Sequence, residues 1–127
     1  MVNPDGLAPA SGFSYGAMPA DGQVLHLAGI TGHREDMTID EGMVDQFAAA
    51  CRNVAGVITE AGGVPTDVVS MIIYTSDIAG YRDNLEPIGA AYQSVFGKHY
   101  PPTALIGIEG LMDPKALVEL VCVAVIP

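Results

Sequence analysis

Two ionisable side chains lie in apolar segments of this sequence, where they could take part in proton transfer. His26 stands between Leu25 and Leu27, so its imidazole would point away from both leucines if the segment is a strand. Such a histidine can move protons near neutral pH, or it can be a structural or interface residue. Glu119 interrupts an apolar C-terminal segment, where an ionised carboxylate must be exposed or paired. It is a candidate general acid or base, or a surface or intersubunit residue.

Arg34 is the best candidate to anchor an anionic ligand, because the chain has only five lysines and arginines. It follows His33 in a polar loop and precedes Glu35 and Asp36. An arginine beside two carboxylates commonly forms a solvated ion pair. Both interpretations of Arg34 remain open at this point.

The sequence predicts neither a metal site nor a bound cofactor. Cys51 and Cys122 are far apart, without CxxC spacing, and the three histidines are isolated, so zinc or iron ligand spacing is absent. The two cysteines are expected to be buried thiols. The glycine-containing segment 29–32 lacks the phosphate-loop pattern.

Composition limits the classes of function. The 127 residues suit one domain, 1–127, and a hydrophobic content of 50% predicts a folded chain. The net charge of −10 would repel phosphate backbones, so nucleic acid is not an expected partner. The chain has neither a run of apolar residues long enough to span a membrane nor a signal segment, which predicts a cytoplasmic protein without a membrane contact. The apolar excess suggests that another subunit covers part of the surface.

The N-terminal half is expected to contain a hairpin followed by a helix. A short strand at 13–18, a turn at 19–22 and a strand at 24–28 would form the hairpin. Apolar residues then recur every three or four positions from Met43 to Ala61, which predicts an amphipathic helix that ends at Gly62 and Gly63.

The C-terminal half is expected to add three strands and one helix. Segment 68–75 is almost continuously apolar, which predicts a central strand. A helix with an apolar stripe from Tyr81 to Phe96 follows, then strands at 103–108 and 117–126. Two helices can cover only one face of such a sheet, so the other face must meet another copy or itself, and a closed homo-oligomer is the most economical arrangement.

The order of these segments resembles the Rid superfamily, also called the YjgF/YER057c family. The resemblance covers almost the whole chain and is carried by the motifs Gly12-Phe13-Ser14-Tyr15, segment 24–29, segment 68–77, Pro101-Pro102-Thr103-Ala104 and segment 113–119. It implies a chorismate-mutase-like α+β fold, a mixed β-sheet with two helices on one face. It further implies a homotrimer with an apolar sheet core between subunits and small-molecule pockets between neighbours.

The resemblance also implies where a ligand would bind. Deaminating members of the family have an arginine after the Pro-x dipeptide that grips a substrate carboxylate, and this chain has Thr103 there. The other pocket positions that match are Ser14 with Tyr15 beside it, Gly29, Gly89, Leu105 and Val121. Only Gly29 keeps the family's residue, so the chain resembles branches without the arginine.

The function implied is hydrolysis or deamination of a small imine, enamine or related metabolic intermediate other than 2-aminoacrylate. Thr103, Tyr15 and Glu119 are the candidate catalytic residues, and Leu105 and Val121 predict a larger or less charged substrate. The alternative is a trimeric small-molecule-binding or scavenging protein without turnover. A structural partner subunit for another enzyme is a third possibility.

Overall fold

The computed structural model describes residues 1–127 and contains four strands and three helices. The elements follow one another in this order: β1 Gln23–Ile30, α1 Met43–Glu60, β2 Val68–Thr75, α2 Ile78–Arg82, α3 Leu85–Phe96, β3 Thr103–Gly107 and β4 Val118–Ile126. A short 3₁₀ turn at Pro65–Asp67 leads into β2. The α+β class predicted from the sequence is confirmed.

Helix α1 forms where the apolar periodicity predicts it and ends at the expected glycines. Its buried side chains, among them Phe47, Cys51 and Val54, lie on one stripe. After the helix, Gly62 has a φ of 88°, a conformation that a residue with a Cβ rarely adopts. The Gly62 amide donates to the Thr59 carbonyl and the Gly63 amide donates to the Ile58 carbonyl, which closes the last turn.

The strands form one mixed sheet in the order β1-β4-β2-β3. Strand β4 is antiparallel to both β1 and β2, whereas β3 is parallel to β2 along the edge. In β4 the residues alternate as the sequence predicts, with Val118, Leu120, Cys122 and Ala124 buried and Glu119, Val121, Val123 and Val125 half-buried.

All three helices contribute to a single core on one face of the sheet. The cluster combines Phe47 and Ile58 of α1, Ile88 and Phe96 of α3, and the inward residues of the strands. Gln46 is buried within it and fully hydrogen-bonded, because its side-chain amide donates to the carbonyls of Asp40 and Lys115 and accepts from the Leu117 amide. This one side chain ties α1 to the segment that enters β4.

The expected N-terminal strand and hairpin do not form, which corrects the sequence prediction. Segment 13–18 makes only isolated bridges, at Ser14 with Pro102 and at Gly16 with Val2, and β1 pairs with β4 instead. The prolines and glycines of this segment interrupt a continuous ladder. The N-terminal segment therefore crosses to the β3 edge of the sheet.

The second expected helix is divided in two. The carboxylate of Asp77 accepts a hydrogen bond of 2.9 Å from the Gly80 amide and caps α2, which ends at Arg82. The Asn84 side chain donates to the Gly80 carbonyl, and α3 begins at Leu85. Pro87 then falls in the first turn of α3, where its missing N–H is tolerated.

The second face of the sheet is left open in a single chain. It presents Val24, His26, Ile72, Tyr74, Ile106, Val121, Val123 and Val125, none of which is fully buried. The accessible surface of the chain is 7395 Å², against about 6,400 Å² for a compact monomer of this mass. None of the helices is both long and apolar enough to cross a membrane.

Candidate functional site

A well-formed cavity lies between α3, the edge strand β3 and residues 11–13 of the N-terminal segment. Its volume is about 450 Å³, within the usual range for small-molecule sites. Phe47, Ile73 and Ile88 are its most buried members, and Leu85 and Leu105 are partly exposed. Aspartate, glutamate, lysine, arginine and histidine are all absent from its lining.

Three of the residues predicted from the family resemblance line this cavity together. Gly89 lies on α3, and Thr103 and Leu105 lie on β3, where they pair with Met71 and Ile73 and share their direction toward the helices. The Thr103 hydroxyl donates to the Pro101 carbonyl at 2.8 Å, so its oxygen is left to accept a hydrogen bond from a ligand.

Ser14 and Tyr15 lie beside this cavity, in a neighbouring hollow that shares Phe13 and Thr103 with it. The Ser14 hydroxyl is buried and donates to the Tyr100 carbonyl at 2.6 Å. The Tyr15 hydroxyl donates to the Ala8 carbonyl at 2.7 Å, and its ring packs edge-to-face on Phe13. Both hydroxyl groups therefore donate to backbone carbonyls in this structure.

The remaining predicted residues lie on the opposite face of the sheet. Gly29 of β1 pairs with Val121 of β4, and the carboxyl group of Glu119 fills the space beside Gly29. A Cβ placed on Gly29 would lie only 2.5 Å from Cδ of Glu119. The structure thus divides the predicted residues into two groups, and no cavity within one chain contains both.

The two cationic candidates lie outside the cavity. His26 is exposed on the open face, opposite Val123 in the register. Arg34 forms an ion pair with Asp40 and donates to the Thr38 hydroxyl at 3.3 Å. An ion pair is one of the two interpretations of Arg34, although its partner is not one of the adjacent acidic residues.

Sequence reasoning missed a chain of hydrogen bonds at the end of β1. His33 Nδ1 lies 2.5 Å from the Thr31 hydroxyl, and His33 Nε2 lies 2.7 Å from Oδ2 of Asp113. The hydrogen bond from His33, and then one from the Lys115 amide, hold the pKa of the Asp113 carboxyl below its ordinary value. Asn53 donates to the carbonyls of Thr31 and His33 and holds the same loop. No local motif could reveal this contact, because His33 and Asp113 are 80 positions apart.

Sequence reasoning also missed the polar groups of three tyrosines around the cavity. Two of them, Tyr81 and Tyr92, belong to the apolar stripe of the expected second helix. The Tyr92 hydroxyl donates to the His99 carbonyl at 2.5 Å, and the Tyr100 hydroxyl accepts from the Gln93 side chain at 2.6 Å. The Tyr81 hydroxyl has no hydrogen-bond partner, although the residue is only 8% exposed. Burial raises the pKa of Tyr81 to about 12, so the hydroxyl keeps its proton at neutral pH.

The cysteines are buried thiols, as the sequence predicts. Cys51 and Cys122 are free and lie in the core, where burial raises the pKa of each to about 12. Neither forms a thiolate at neutral pH. No group of three or more histidine, cysteine, aspartate or glutamate side chains is placed to hold a metal ion.

Comparisons with known proteins extend these observations. Residues 5–126 match the family described as Endoribonuclease L-PSP. A solved structure of the conserved Rid-family protein YyfB from Yersinia pestis is similar, with 26% identity, a TM-score of 0.88 and coverage of 98% of this chain and 96% of that chain. A member of the YjgF/YER057c/UK114 family from Mycobacterium tuberculosis is 29% identical, with a TM-score of 0.66 and coverage of 84% and 82%.

A third solved structure, RidA from the Antarctic bacterium Psychrobacter, has 21% identity and a TM-score of 0.72, with coverage of 94% of this chain and 92% of that chain. At that identity the similarity concerns the fold alone. No curated protein sequence matches the chain.

Proposed function

The chain belongs to the endoribonuclease L-PSP family, which includes the Rid and YjgF proteins, and from that premise we propose that it is a Rid-type hydrolase of small imines or enamines. The observation that carries this proposal is the cavity that holds Gly89, Thr103 and Leu105 and lacks any acidic or basic side chain. A neutral Thr103 in place of an arginine favours substrates other than 2-aminoacrylate. RNA is not proposed as the substrate, because the net charge of −10 opposes phosphate binding.

The proposed site is completed by a second copy of the chain. Gly29, Glu119 and Val121 lie on the open face of the sheet, away from the cavity, so they can join Thr103 only across an interface. The apolar residues of that face and the large accessible surface of the chain support burial between subunits. We propose a homotrimer, which is the assembly that the Rid resemblance implies, in the cytoplasm.

The proposed reaction requires only water, a proton transfer and a dry pocket. Water adds to the carbon of the C=N bond while the nitrogen takes up a proton, and the resulting carbinolamine releases the amine and leaves a carbonyl. Glu119 of a neighbouring copy is the proposed base for the water. Thr103 is proposed to accept a hydrogen bond from the substrate, and Tyr15 is the weaker candidate because its hydroxyl is bound to Ala8.

One observation favours a second function. The cavity of a single chain contains no residue that could act as a base near neutral pH, which suits a binding or scavenging protein without turnover. The two functions differ in whether Glu119 reaches the ligand.

The test is ammonia release from 2-iminopropionate and from a bulkier uncharged imine, measured with the wild type, Thr103→Arg and Glu119→Gln. We expect the wild type to accelerate loss of the uncharged imine at least tenfold over buffer and to leave 2-iminopropionate nearly unaffected. Thr103→Arg should gain activity on 2-iminopropionate, because the guanidinium can bind its carboxylate. Glu119→Gln should lose activity without losing the oligomer.

Two outcomes would contradict the hydrolase. If the wild type accelerates no imine while remaining an intact oligomer, the binding protein becomes the better description. If Glu119→Gln keeps full activity, Glu119 is not the base. A matched control is Glu109→Gln, which removes a carboxylate in the loop after β3, outside the cavity.

A further inference from the structure

The lining of the cavity contains most of the aromatic side chains of the protein. Five of the eight aromatic residues line it: Phe13, Phe47, Tyr81, Tyr92 and Tyr100. They come from the N-terminal segment, α1, α2, α3 and the loop before β3, so the tertiary fold alone brings them together. Aromatic rings favour edge-to-face or offset contacts with another flat ring, as Phe47 and Tyr81 already show at 6.1 Å.

The charge pattern of the cavity excludes an anionic ligand. No lysine, arginine or histidine lines it, and the chain as a whole carries a net charge of −10. A carboxylate placed there would lose its hydration without gaining a cationic partner, which is costly. The lining that one chain supplies therefore favours a neutral ligand.

The lining contains one largely buried residue whose hydroxyl donor has no partner in the protein. Tyr92 and Thr103 donate their hydroxyl hydrogens to backbone carbonyls, and Tyr100 is partly exposed and can reach water. Tyr81 is more than nine-tenths buried, its hydroxyl has no partner, and that oxygen still retains accessible surface. Because it is accessible and unpaired, the Tyr81 hydroxyl is free to donate to an acceptor atom supplied by a ligand.

We propose that the cavity binds a planar aromatic compound with a single neutral acceptor atom, an aryl imine or aryl ketone, and that the Tyr81 hydroxyl donates to this acceptor. The proposal rests on the hydrolase function above and specifies its substrate class. Tyr81 is then a residue that determines specificity, in addition to those predicted from the sequence.

The test uses four probes of similar size with the intact oligomer: acetophenone, ethylbenzene, benzoate and cyclohexyl methyl ketone. Dissociation constants are measured by nuclear magnetic resonance titration. We expect acetophenone to bind about three- to tenfold more tightly than ethylbenzene, which lacks the acceptor. Benzoate should bind at least tenfold more weakly than acetophenone, and the saturated ketone should also bind more weakly than its aromatic counterpart.

The Tyr81→Phe variant identifies the donor. It keeps the ring, so it should fold normally and bind ethylbenzene as the wild type does, while its preference for acetophenone disappears. Thr59→Val is the control, because it removes a hydroxyl from the exposed side of α1, away from both the cavity and the open sheet face. That variant should keep the wild-type preference.

Three results would overturn the proposal: no binding of acetophenone, equal binding of benzoate, or an unchanged preference in Tyr81→Phe. The hydrolase proposal is judged separately, by turnover. If acetophenone binds as expected and no imine is hydrolysed, the ligand class stands and only the catalytic function fails.

Discussion

Most hydroxyl groups near the cavity hold backbone in place. Ser14, Tyr15, Tyr92 and Thr103 each donate to a main-chain carbonyl, so they shape the site through the backbone. Tyr81 differs because the residue is only 8% exposed, while its hydroxyl has no hydrogen-bond partner in the protein and keeps some accessible surface. Residue type alone cannot distinguish these cases, since each of the five side chains has a hydroxyl group that can both donate and accept a hydrogen bond.

The pair of His33 and Asp113 predicts a pH-dependent contribution to stability. Because the Asp113 pKa is lowered on folding from a value near 3.8, its contribution is present above that value and is lost as the pH falls through the lower folded pKa. Asp113→Asn should therefore be less stable than the wild type at pH 6, and the difference should shrink as the pH falls through the lowered folded pKa of Asp113. Urea unfolding across this pH range measures the difference.

Asp21→Asn is the matched control, because Asp21 is exposed and makes no hydrogen bond. A stability difference for Asp113→Asn that stays constant as the pH is lowered from 6 until Asp113 is protonated would show that the carboxylate charge plays no part.

Among the elements, the loop after β1 and helix α1 are in close contact. A Cβ on Gly32 would lie 2.6 Å from the Gln46 carbonyl oxygen and 3.1 Å from the Ala49 Cβ. Both contacts are to α1, and a helix packed in the core has little room to adjust. The same loop carries Thr31 and His33, so its position also determines where their hydrogen bonds lie.

Alanine substitutions at two glycines should shift stability in opposite directions. Gly32→Ala should lower the free energy of unfolding by about 1–3 kcal/mol, because the added methyl group collides with α1. Gly56→Ala, in the exposed part of α1 with nothing within 4 Å, should raise it by about 0.5–1 kcal/mol. Denaturant unfolding of both variants measures these changes. If Gly32→Ala is as stable as the wild type, the loop can move away from α1 and the contact is not tight.

At the scale of the whole molecule, the open face of the sheet is the main feature that a single chain does not explain. Every second residue of β4 is half-buried there, and β1 and β2 add Val24, Ile72 and Tyr74. An apolar face of this extent is typical of a surface that another subunit covers. The proposed division of the site between copies gives this interface a functional role.

A charge on this face should break the proposed oligomer. Val123→Glu places a carboxylate at the centre of the face, opposite His26 and Ser70, where desolvation in an interface would be unfavourable. We expect the variant to run as a smaller species, or to fail to fold, in light scattering coupled to gel filtration. Val64→Glu makes the same change at an exposed loop position and should keep the native mass. An unchanged mass for Val123→Glu would contradict this packing.

The sequence by itself determined the elements whose patterns are local. The amphipathic helix α1, the central strand β2 and the alternation in β4 follow from apolar spacing. A helix or a strand that packs on one side buries residues at a fixed spacing along the chain. These elements also led to the correct expectation of a sheet with helices on one face. The expected strand at 13–18 was wrong, since pairing depends on which partner is available and not on the segment alone.

Only the tertiary structure decided how the candidate residues are grouped. The strand order β1-β4-β2-β3 places Thr103 and Leu105 with Gly89 in one cavity and puts Gly29 and Val121 on the other face. It also collects aromatic residues from five segments, and the fold joins His33 to Asp113 across 80 positions. The apolar spacing of a segment indicates which of its sides is buried. Which segments become neighbours depends on the order in which the strands and helices are connected, and local spacing contains no information about that order.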